Sequence, residues 1–398
     1  MAGRAVKAQH ELHCLCINAG SSSLKVGLYR AAAGRVEHCL WRGAAQAIAS
    51  PTAQLEIDGQ RAAQPIPDHL AALDLLLHGR DLTRVQAVGH RMVHGGEHDR
   101  PARVTPELLA ELRTLVALAP LHLPAALAGV DAVAERLPQI PQVACFDTAF
   151  HAGLPVPART LPLPQRYREL GIRRYGFHGL SCEYIVGELG ERARGRLVIA
   201  HLGNGASLTA LLDGRSVDTS MGFTPSGGVM MGTRSGDMDP GVLLYLLREQ
   251  GLDEAALERL VNRESGLLGV SGSSPDMEVL LARDDPEARL AVEMFAYQVR
   301  KTIGGLSAAL GGLDRLVFSG GIGEHAAPVR AAICSGLEYL GIRLDPKRNA
   351  ARTQRISTDD SPCQVLVVPT NEDRIIARHC RQILTLPDPA PDPTPPGT

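Results

Sequence analysis

Short apolar runs alternate with helical patterns along most of the chain. Residues 12–18 and 24–29 are apolar runs of strand length on either side of a small polar turn, which predicts a β-hairpin. Residues 197–202 and 208–212 repeat this arrangement around the turn at 203–207. Two matching hairpins about half a chain apart predict a duplicated α/β domain.

Further elements alternate in the same way. Helical periodicity and short apolar runs predict helices at 106–118, 124–137, 288–310 and 327–340, and strands at 142–146, 316–319 and 365–368. Several of these strands lead into glycine-rich or charged segments. In α/β proteins, ligands bind at such strand ends.

The domain limits follow from these patterns. We expect one domain over 12–152, completed by a helix at 373–385, and a second, nucleotide-binding domain over 153–372. Residues 1–11 are expected to be a disordered N-terminal extension. The proline-rich stretch 386–398 is expected to be an extended tail.

Composition narrows the classes of partner. The 398 residues carry a net charge of -2, and aromatic residues make up only 4%. This gives no support for a nucleic-acid or membrane-surface partner. No apolar run has the length of a membrane helix. The eight cysteines form no C-x-x-C pair and several lie in apolar runs, which predicts reduced thiols and a cytoplasmic location.

Three turns rich in glycine and serine follow predicted strands, at 18–25, 203–207 and 320–324. Backbone N–H groups point out of such turns, and glycine lets a phosphate come close. The first turn adds an amide, two hydroxyls and a cation from Asn18, Ser21, Ser23 and Lys25. A single turn of this kind is common, but three in one chain favour a nucleotide phosphate.

The third turn also supports a rival interpretation. Gly321, Gly323 and Ala326 fit the dinucleotide fingerprint G-x-G-x-x-A, and Asp345 follows at roughly the spacing of a ribose-binding acid. A nicotinamide-dependent oxidoreductase is therefore an alternative. It leaves the first turn without a role, and little chain follows the fingerprint to build a Rossmann half.

Charged side chains next to glycine turns or at strand ends give the sharpest signal: Arg91, Asp147, His178, Arg234 and Glu372. Singly, each has a structural explanation as a cap, a surface ion pair or a hydrogen-bonded histidine. Together they supply what phosphoryl transfer requires, namely cations for both anions, carboxylates for Mg²⁺ and nearby N–H groups. Neither a Ser-His-Asp elbow nor zinc-ligand spacing is evident.

These motifs resemble those of the acetate kinase family. The segments INAGSSSLK, HRMVHGGE, APLH, FDTAFH, RRYGFHG, HLGNGAS, DTSMGFTP, MMGTRSGD, SGLLG, GGIGE and PTNED follow the family's order between about residues 14 and 380. The resemblance implies two ribonuclease-H-like domains with the active site in the cleft between them, as in sugar kinases, heat-shock chaperones and actin. It also implies a cytoplasmic homodimer that transfers phosphoryl reversibly and in line from ATP to acetate, giving acetyl phosphate and ADP, with Mg²⁺ or Mn²⁺.

The resemblance also implies roles for single residues. Arg91 and Arg234 would hold the carboxylate and the transferring phosphoryl group, and His178 would hydrogen-bond that group. Asp147 would stabilise the transition state and, with Glu372 and Asn18, organise the metal. The pocket for the acetate methyl group would be lined by Val93, Leu121, Phe177 and Pro225.

The ATP contacts implied by the resemblance fall in four segments. They are Ser21, Ser23 and Lys25 in the first turn, His201, Leu202, Gly203, Asn204 and Gly205 in the second, Asp276, Met277 and Glu278 farther on, and Gly321, Ile322, Gly323, Glu324 and His325 in the third turn.

A few positions depart from the family pattern. They are Leu123, Leu180, Cys182, His325, Ala326 and Glu278, the last standing where the family usually has an arginine against the nucleoside. We therefore expect relaxed nucleotide selectivity. Propionate or another short-chain acid stays open as the acceptor, because one methylene is worth only about 1–3 kcal/mol. An alternative of a different class is a non-catalytic ATP-binding module of the actin or chaperone type.

Overall fold

The computed structural model describes residues 11–20, 22–32 and 36–385. Ser21, the expected N-terminal extension apart from Glu11, and the proline-rich tail at 386–398 lie outside the described residues. The strands within them are β1 Leu12–Ala19, β2 Ser23–Ala31, β3 His38–Gln46, β4 Gln54–Ile57, β5 Gln60–Ala63, β6 Ala87–Met92, β7 Ala102–Arg103, β8 Gln142–Phe146, β9 Arg196–Leu202, β10 Ala206–Leu212, β11 Arg215–Thr219, β12 Arg315–Ser319 and β13 Gln364–Val367.

The α-helices are α1 His69–Leu77, α2 Pro106–Thr114, α3 Leu123–Arg136, α4 Val156–Arg159, α5 Gln165–Arg168, α6 Gly179–Leu189, α7 Pro240–Glu249, α8 Glu254–Arg259, α9 Gly266–Ser271, α10 Met277–Leu281, α11 Pro286–Leu310, α12 Gly320–His325, α13 Ala327–Cys334, α14 Pro346–Ala350 and α15 Glu372–Thr385. Short 3₁₀ turns cover Leu115–Leu118, Ala149–His151, Gly190–Ala193 and Glu338–Leu340, and a π turn covers Leu260–Glu264.

The two sheets share one strand order. The first runs β5-β4-β3-β2-β1-β6-β8-β7 and the second β11-β10-β9-β12-β13. In each, a three-stranded antiparallel meander is followed by two strands parallel to its first strand, so β3-β2-β1-β6-β8 matches β11-β10-β9-β12-β13. This repeat confirms the predicted duplicated α/β fold of ribonuclease-H-like type.

The central strands explain the apolar runs in the sequence. Strand β9 is buried on both faces from Leu197 to Leu202, and β1 is buried from Cys14 to Asn18. Helix α11 covers β9 and β10, whereas α15 covers β1, β2, β6 and β8. Strands covered on both faces read as continuous apolar runs instead of alternating ones.

The sheets are joined by a common apolar cluster. Cys16 from β1, Ile185 from α6, Ile199 from β9 and Ile376 from α15 are all buried in it. Helix α6 also begins at the end of β8, because the Gly179 N–H donates to the Asp147 carbonyl at 2.9 Å. The carboxyl ends of the parallel strands therefore meet near the start of α6.

Three predicted elements differ from the structure. The helix expected over 106–118 is an α-helix only to Thr114 and continues as the 3₁₀ turn Leu115–Leu118. The helix expected over 327–340 ends at Cys334, because Gly336 adopts a φ of +92° that an α-helix cannot accommodate. The expected glycine turn at 320 is the first turn of the short helix α12, entered through Gly320 with a φ of +74°.

Helix α11 is the longest helix, with 25 residues. Its buried face is largely apolar, whereas charged residues such as Glu293 and Lys301 are exposed on the helix. In the portion of the chain that the structure describes, no helix combines the length and apolar character needed to cross a bilayer.

The contact between β6 and α15 allows a test of the fold. A Cβ at Gly89 would collide with Ile376 and lie 2.6 Å from the Cys380 sulfur, both buried in α15. We therefore expect Gly89→Ala to lower the free energy of unfolding by about 1–3 kcal/mol, as overpacking does. Urea denaturation measures it.

The control is Gly129→Ala in α3, where a Cβ would meet no atom within 4 Å. That variant should unfold at the same or a slightly higher urea concentration, since alanine is favoured over glycine in a helix by roughly 0.5–1 kcal/mol. Equal midpoints for the Gly89→Ala variant and the parent would show that α15 does not pack as described.

Candidate active site

One arginine holds two carboxylates at the ends of β6 and β8. Arg91 Nη2 lies 2.6 Å from Asp147 Oδ2, and its Nε lies 3.0 Å from the same oxygen. Arg91 Nη1 lies 3.1 Å from Glu372 Oε2 and donates to Asn18 Oδ1 at 3.2 Å. Asn18 Nδ2 donates in turn to Glu372 Oε2 at 2.9 Å. The structure thus brings four of the predicted site residues into one network.

Sheet topology explains this convergence. Strands β1, β6 and β8 are adjacent and parallel, with Ile17 opposite His90 and Arg91 opposite Cys145. Their carboxyl ends therefore meet at one sheet edge. Glu372 reaches the same edge because it begins α15, which packs across these three strands.

The charges of this network follow from burial and pairing. Burial raises the pKa of Asp147 to about 6, although the charge of Arg91 opposes the shift. Burial also acts against ionisation of Glu372, but the charges of Arg91 and Lys25, the His201 ring and the Asn18 hydrogen bond together outweigh it and lower the pKa of that carboxyl. At neutral pH, two carboxylates thus share one guanidinium, and the network carries a net negative charge.

The donor atoms fit a hard divalent cation. Mg²⁺ is usually held by one or two carboxylates together with water and substrate phosphates. Asp147, Glu372 and the Asn18 amide oxygen are of this type, and Mn²⁺ accepts the same ligands. Searching 11–20, 22–32 and 36–385 finds no cluster of three or more His, Cys, Asp or Glu side chains arranged to hold a metal. Asp147, Glu372 and Asn18 are the residues here whose oxygens could hold such a cation.

Arg234 supplies a cation that has no carboxylate partner within 11–20, 22–32 and 36–385. Its side chain is buried, with 8% of the residue exposed, and Nη1 donates to the Pro225 carbonyl at 2.8 Å. Nη2 lies 3.4 Å from His122 Nε2. Burial, together with the charge of Arg91, lowers the pKa of Arg234 to about 10, so it stays charged at neutral pH. An unpaired buried cation of this kind favours a bound anion.

Two histidines stack within reach of the charges of Arg91 and Arg234. The rings of His178 and His201 lie with centroids 4.4 Å apart and planes 25° apart. His178 has a φ of +58° and immediately precedes α6, which turns its ring toward the start of β10. Burial lowers the pKa of both rings, that of His201 to about 4. Both rings are therefore neutral at physiological pH.

The glycine turn between β9 and β10 lies against these groups. A Cβ on Gly205 would be 3.3 Å from His178 Nε2 and 3.5 Å from Arg234 Nη2. A Cβ on Gly203 would be 3.8 Å from the Gly321 nitrogen, and one on Gly321 would meet no atom within 4 Å. The second and third predicted turns are thus neighbours and leave open space. Leu202 is buried at the end of β9.

The other predicted nucleotide-side residues mostly have contacts within the protein. Glu324 Oε1 accepts from the backbone N–H groups of Gly320 and Thr370 at 3.0 and 3.2 Å. Asp276 caps α10 by accepting from the Glu278 N–H, and the Met277 side chain is buried.

The remaining predicted nucleotide-side residues differ in exposure and in their contacts. Glu278 is exposed and Ile322 is half-buried. His325 Nδ1 lies 3.3 Å from Arg352 Nη1. A Cβ on Gly232 would collide with the Asn204 amide oxygen, so Gly232 makes room for that side chain.

The acid that the dinucleotide interpretation needs for the ribose, Asp345, is already engaged within the protein. Asp345 Oδ1 accepts from the backbone N–H groups of Lys347 and Arg348 at 2.9 and 3.1 Å. This carboxylate caps α14 and is engaged there, so it does not serve as a free ribose ligand. The fingerprint glycines belong to α12, which ends at His325 after six residues.

The four predicted apolar pocket residues are buried or half-buried, and one of them, Pro225, contacts Arg234. Val93 and Phe177 are buried in the same core cluster, and Pro225 accepts from Arg234 through its carbonyl. Leu121 is half-buried and immediately precedes His122.

Two predicted phosphate-binding residues of the first turn, Lys25 and Ser23, are among the described residues. Lys25 is exposed on β2 and faces Asn18 across the hairpin. Ser23 is half-buried, and its carbonyl accepts from the Gly20 N–H at 2.8 Å.

The sequence prediction left three site residues without a role. His122 contacts Arg234, while Ser181 and Ser207 hydrogen-bond to the stacked histidines. Ser181 follows His178 by one helical turn, and Ser207 belongs to the second glycine turn. Helical spacing therefore gave a signal for Ser181, whereas the contacts of His122 depend on the tertiary fold.

Comparison with known proteins gives concordant results. A model of the Acetokinase family matches residues 13–378. An acetate kinase of Rhodopseudomonas palustris (strain ATCC BAA-98 / CGA009) is 47% identical over 384 residues, covering 92% of this chain and 96% of that protein. A propionate kinase of Citrobacter rodentium is 46% identical over 390 residues, covering 93% and 96%. The crystal structure of Porphyromonas gingivalis acetate kinase matches with a TM-score of 0.81 at 38% identity, covering 94% of this chain and 100% of that chain.

The ion-pair network predicts a pH-dependent stability defect. Arg91→Met removes the cation between two buried carboxylates and should lower the free energy of unfolding by about 3–5 kcal/mol at pH 8. Burial already raises the pKa of Asp147 from 3.8 to about 6, and loss of Arg91 raises it further. A raised folded-state pKa stabilises the fold at low pH and loses that contribution as the pH rises. The defect should therefore shrink from pH 8 toward pH 4.

Urea denaturation at several pH values in metal-free buffer measures this effect. The matched control is Arg113→Met, because Arg113 and Asp131 form an ion pair whose side chains are both 51% exposed. That variant should lose less than about 1 kcal/mol at every pH. A defect in Arg91→Met that is independent of pH would contradict the described network.

Proposed function

The chain belongs to the acetokinase family, and we propose that it carries out Mg²⁺-dependent, reversible phosphoryl transfer from ATP to acetate. It is thus a phosphotransferase that acts on a carboxyl group. The observation that carries the proposal is that Arg234, which has no ion-pair partner among the described residues, lies close enough to the Arg91–Asp147–Glu372 network that its pKa is lowered by burial and also by the charge of Arg91. Two anions can meet between these groups, which is the central difficulty of the reaction.

The acceptor would lie on the Arg234 side. Its carboxylate would be held by Arg91 and Arg234, and its methyl group would pack against Val93, Leu121, Phe177 and Pro225. The burial of Val93 and Phe177 and the contact of Pro225 with Arg234 support this placement. Propionate is the alternative acceptor, supported by the 46% identity to a propionate kinase.

The transferring phosphoryl group would lie between Arg234 and His178. Both side chains border the space above Gly205, where a side chain is lacking. Charge spreads over the equatorial oxygens of that group in the transition state, so donors fixed beforehand lower the barrier.

Direct in-line transfer is favoured by the state of the possible nucleophiles. Asp147 and Glu372 are both ion-paired with Arg91, and the Nδ1 atoms of His178 and His201 are engaged by serines. None of these carboxylates and Nδ1 atoms is a free nucleophile for a covalent phosphoenzyme. We therefore propose that the acceptor carboxylate attacks the phosphorus itself.

Asn18, Glu372 and Asp147 would hold Mg²⁺ together with the phosphates. The metal would neutralise charge on the transferring and leaving phosphates. The protein's own contribution here is to keep both carboxylates ionised through Arg91 and to orient Glu372 through the Asn18 amide.

ATP would lie along the three glycine-rich segments. Ser21, Ser23 and Lys25 would face its phosphates from the first domain, with His201, Leu202, Gly203, Asn204 and Gly205 from the second. The nucleoside would lie between the segment Asp276, Met277 and Glu278 and the segment Gly321, Ile322, Gly323, Glu324 and His325. Open space at Gly321 supports this position.

We also propose a cytoplasmic homodimer. All eight cysteines are free thiols, which fits a reducing compartment. Helix α7 has no buried side chain, and Val242, Leu244, Tyr245 and Leu247 are exposed on it. An exposed apolar cluster of this size is typical of an interface.

A hydroxamate assay for acyl phosphate tests the reaction. With ATP and Mg²⁺, acetate, propionate and butyrate should all be compared by kcat/KM, with acetate expected to give the highest value. Arg234→Ala should lower kcat by about 10³-fold, because an arginine on the transferring group is worth that much. The exposed Arg113→Ala should keep full turnover.

Near-normal acyl phosphate formation by the Arg234→Ala variant would overturn its assigned role. If kcat/KM were highest with propionate, the alternative acceptor would replace acetate in the proposal. Saturable ATP binding without carboxylate-dependent turnover would instead support the actin-like or chaperone-like module.

From the acidic residue Glu278 we expect low selectivity for the phosphoryl donor. Its exposed carboxylate stands where an arginine would face the nucleoside, so ATP, GTP and pyrophosphate should differ in kcat/KM by no more than about tenfold, or 1.4 kcal/mol. Glu278→Arg should raise the preference for ATP. The control Glu135→Arg makes the same change of charge on an exposed position of α3 and should leave the donor ratios unchanged. Turnover with ATP alone in the parent protein would contradict this proposal.

A further inference from the structure

Two serines and two histidines are connected crosswise beneath the cleft. His178 and Ser181 lie one helical turn apart at the start of α6, while His201 and Ser207 are paired across the hairpin β9–β10. His178 Nδ1 lies 3.0 Å from Ser207 Oγ, and His201 Nδ1 lies 2.8 Å from Ser181 Oγ. Each imidazole is therefore held by a serine from the other element.

We infer that Ser207 and Ser181 are positioning residues that hold His178 and His201 as neutral Nε2–H tautomers, so that both rings present N–H donors to the cleft. The inference rests on the proposed function only for the identity of the acceptor, a phosphoryl oxygen. The hydrogen-bond geometry itself is independent of that function.

The hydrogen count at the two serines decides the tautomer. A neutral imidazole has one N–H and one lone pair, and a serine hydroxyl has one hydrogen to donate. Ser207 is 1% exposed and Ser181 is 0% exposed, and neither has a second hydrogen-bond partner among the residues that the structure describes. If Nδ1 carried the proton, each hydroxyl hydrogen would be buried without an acceptor, which folded proteins avoid. The hydroxyls therefore donate to Nδ1, and the proton resides on Nε2.

The outward atoms of both rings are free to bind a ligand. No Nε2 hydrogen bond is formed by His178 or His201 within the described ranges, and neither atom is among the fully buried unpaired ones. His178 Nε2 also borders the space that glycine leaves at position 205. A lone pair there would repel an anionic oxygen, whereas an N–H donates to it. Ser207 thus sets the sign of this interaction.

The surroundings keep both rings uncharged. Burial lowers the pKa of each, and the charges of Arg91 and Arg234 act in the same direction at His178. At His201, Glu372 opposes the shift, while Arg91 and Lys25 support it. Stacking at 4.4 Å would also place two imidazolium charges in contact. Neutral donors therefore provide hydrogen bonds that do not depend on protonating either ring.

The chain contains a matched reference pair away from the cleft. His151 Nδ1 lies 2.9 Å from Ser216 Oγ, and its Nε2 lies 3.0 Å from the Phe177 carbonyl. The carbonyl can only accept, so Nε2 carries the proton with or without the serine. In Ser216→Ala the His151 tautomer should persist, whereas in Ser207→Ala the His178 tautomer loses its constraint.

Nitrogen-15 NMR of the histidine-labelled full chain tests the tautomers directly, with His178→Gln and His201→Gln variants to assign the signals. His178, His201 and His151 should all show Nε2–H at pH 7. Ser207→Ala should change the pattern of His178 alone, and Ser216→Ala should not change that of His151. An Nδ1–H tautomer or an imidazolium at His178 in the parent protein would overturn the inference, whatever reaction the chain performs.

Kinetics separate positioning from a general structural role. Ser207→Ala should lower kcat about tenfold with little change in KM, less than the roughly 10²- to 10³-fold expected for removing a donor outright. Ser207→Thr keeps the hydroxyl and should recover most of the activity, and Ser216→Ala should remain near the parent value. In a His178→Gln background, Ser207→Ala should have no further effect.

An equal loss from Ser207→Ala in both backgrounds would show that the serine acts through packing and would overturn the inference. If the parent protein forms no acyl phosphate at all, the proposed function fails, and the NMR result alone decides the tautomers.

Discussion

The guanidinium of Arg91 is the contact on which the first half of the site depends. It holds Asp147 at the end of β8, Glu372 at the start of α15 and Asn18 on β1, so three strands and the last helix converge through one side chain. Burying two carboxylates is unfavourable unless a cation and hydrogen bonds compensate them. The apolar packing of α15 on the first sheet fixes the backbone position of Glu372. The charge of Arg91 keeps Asp147 and Glu372 ionised.

The second half of the site depends on Arg234, which, unlike Arg91, is not paired with a carboxylate among the described residues. Arg234 is buried and bonded to a carbonyl instead of a carboxylate, and the neutral ring of His178, stacked on His201, borders Gly205 together with it. A paired cation keeps the carboxylates Asp147 and Glu372 ionised, whereas an unpaired cation attracts an anion. Phosphoryl transfer between anions requires ionised carboxylates and a cation that attracts an anion. The Arg91 network supplies the carboxylates on one wall of the cleft, and Arg234 supplies the cation on the other.

Much of this arrangement could be predicted from the sequence, because strand-end charges and glycine turns are local patterns. The repeated hairpin indicated the duplicated fold, and the positions of Arg91 and Asp147 after apolar runs indicated their convergence. The pattern could not show that Gly336 ends a helix expected to continue to residue 340, since the residues on both sides are helix-compatible. It also could not show that Asp276 caps a helix or that Met277 is buried, because both depend on the orientation of a short helix.

The serine–histidine crossing shows why a duplicated fold can support an asymmetric site. Both hairpins have the same strand order, but only the second pairs a histidine on one strand with a serine on the other, His201 with Ser207. In the first hairpin the corresponding pairing joins Asn18 to Lys25, an amide and a cation. One copy of the turn thus carries groups suited to a metal and phosphates, and the other carries neutral donors. The common backbone sets where these groups meet, while the few side chains that differ determine the chemistry of each wall.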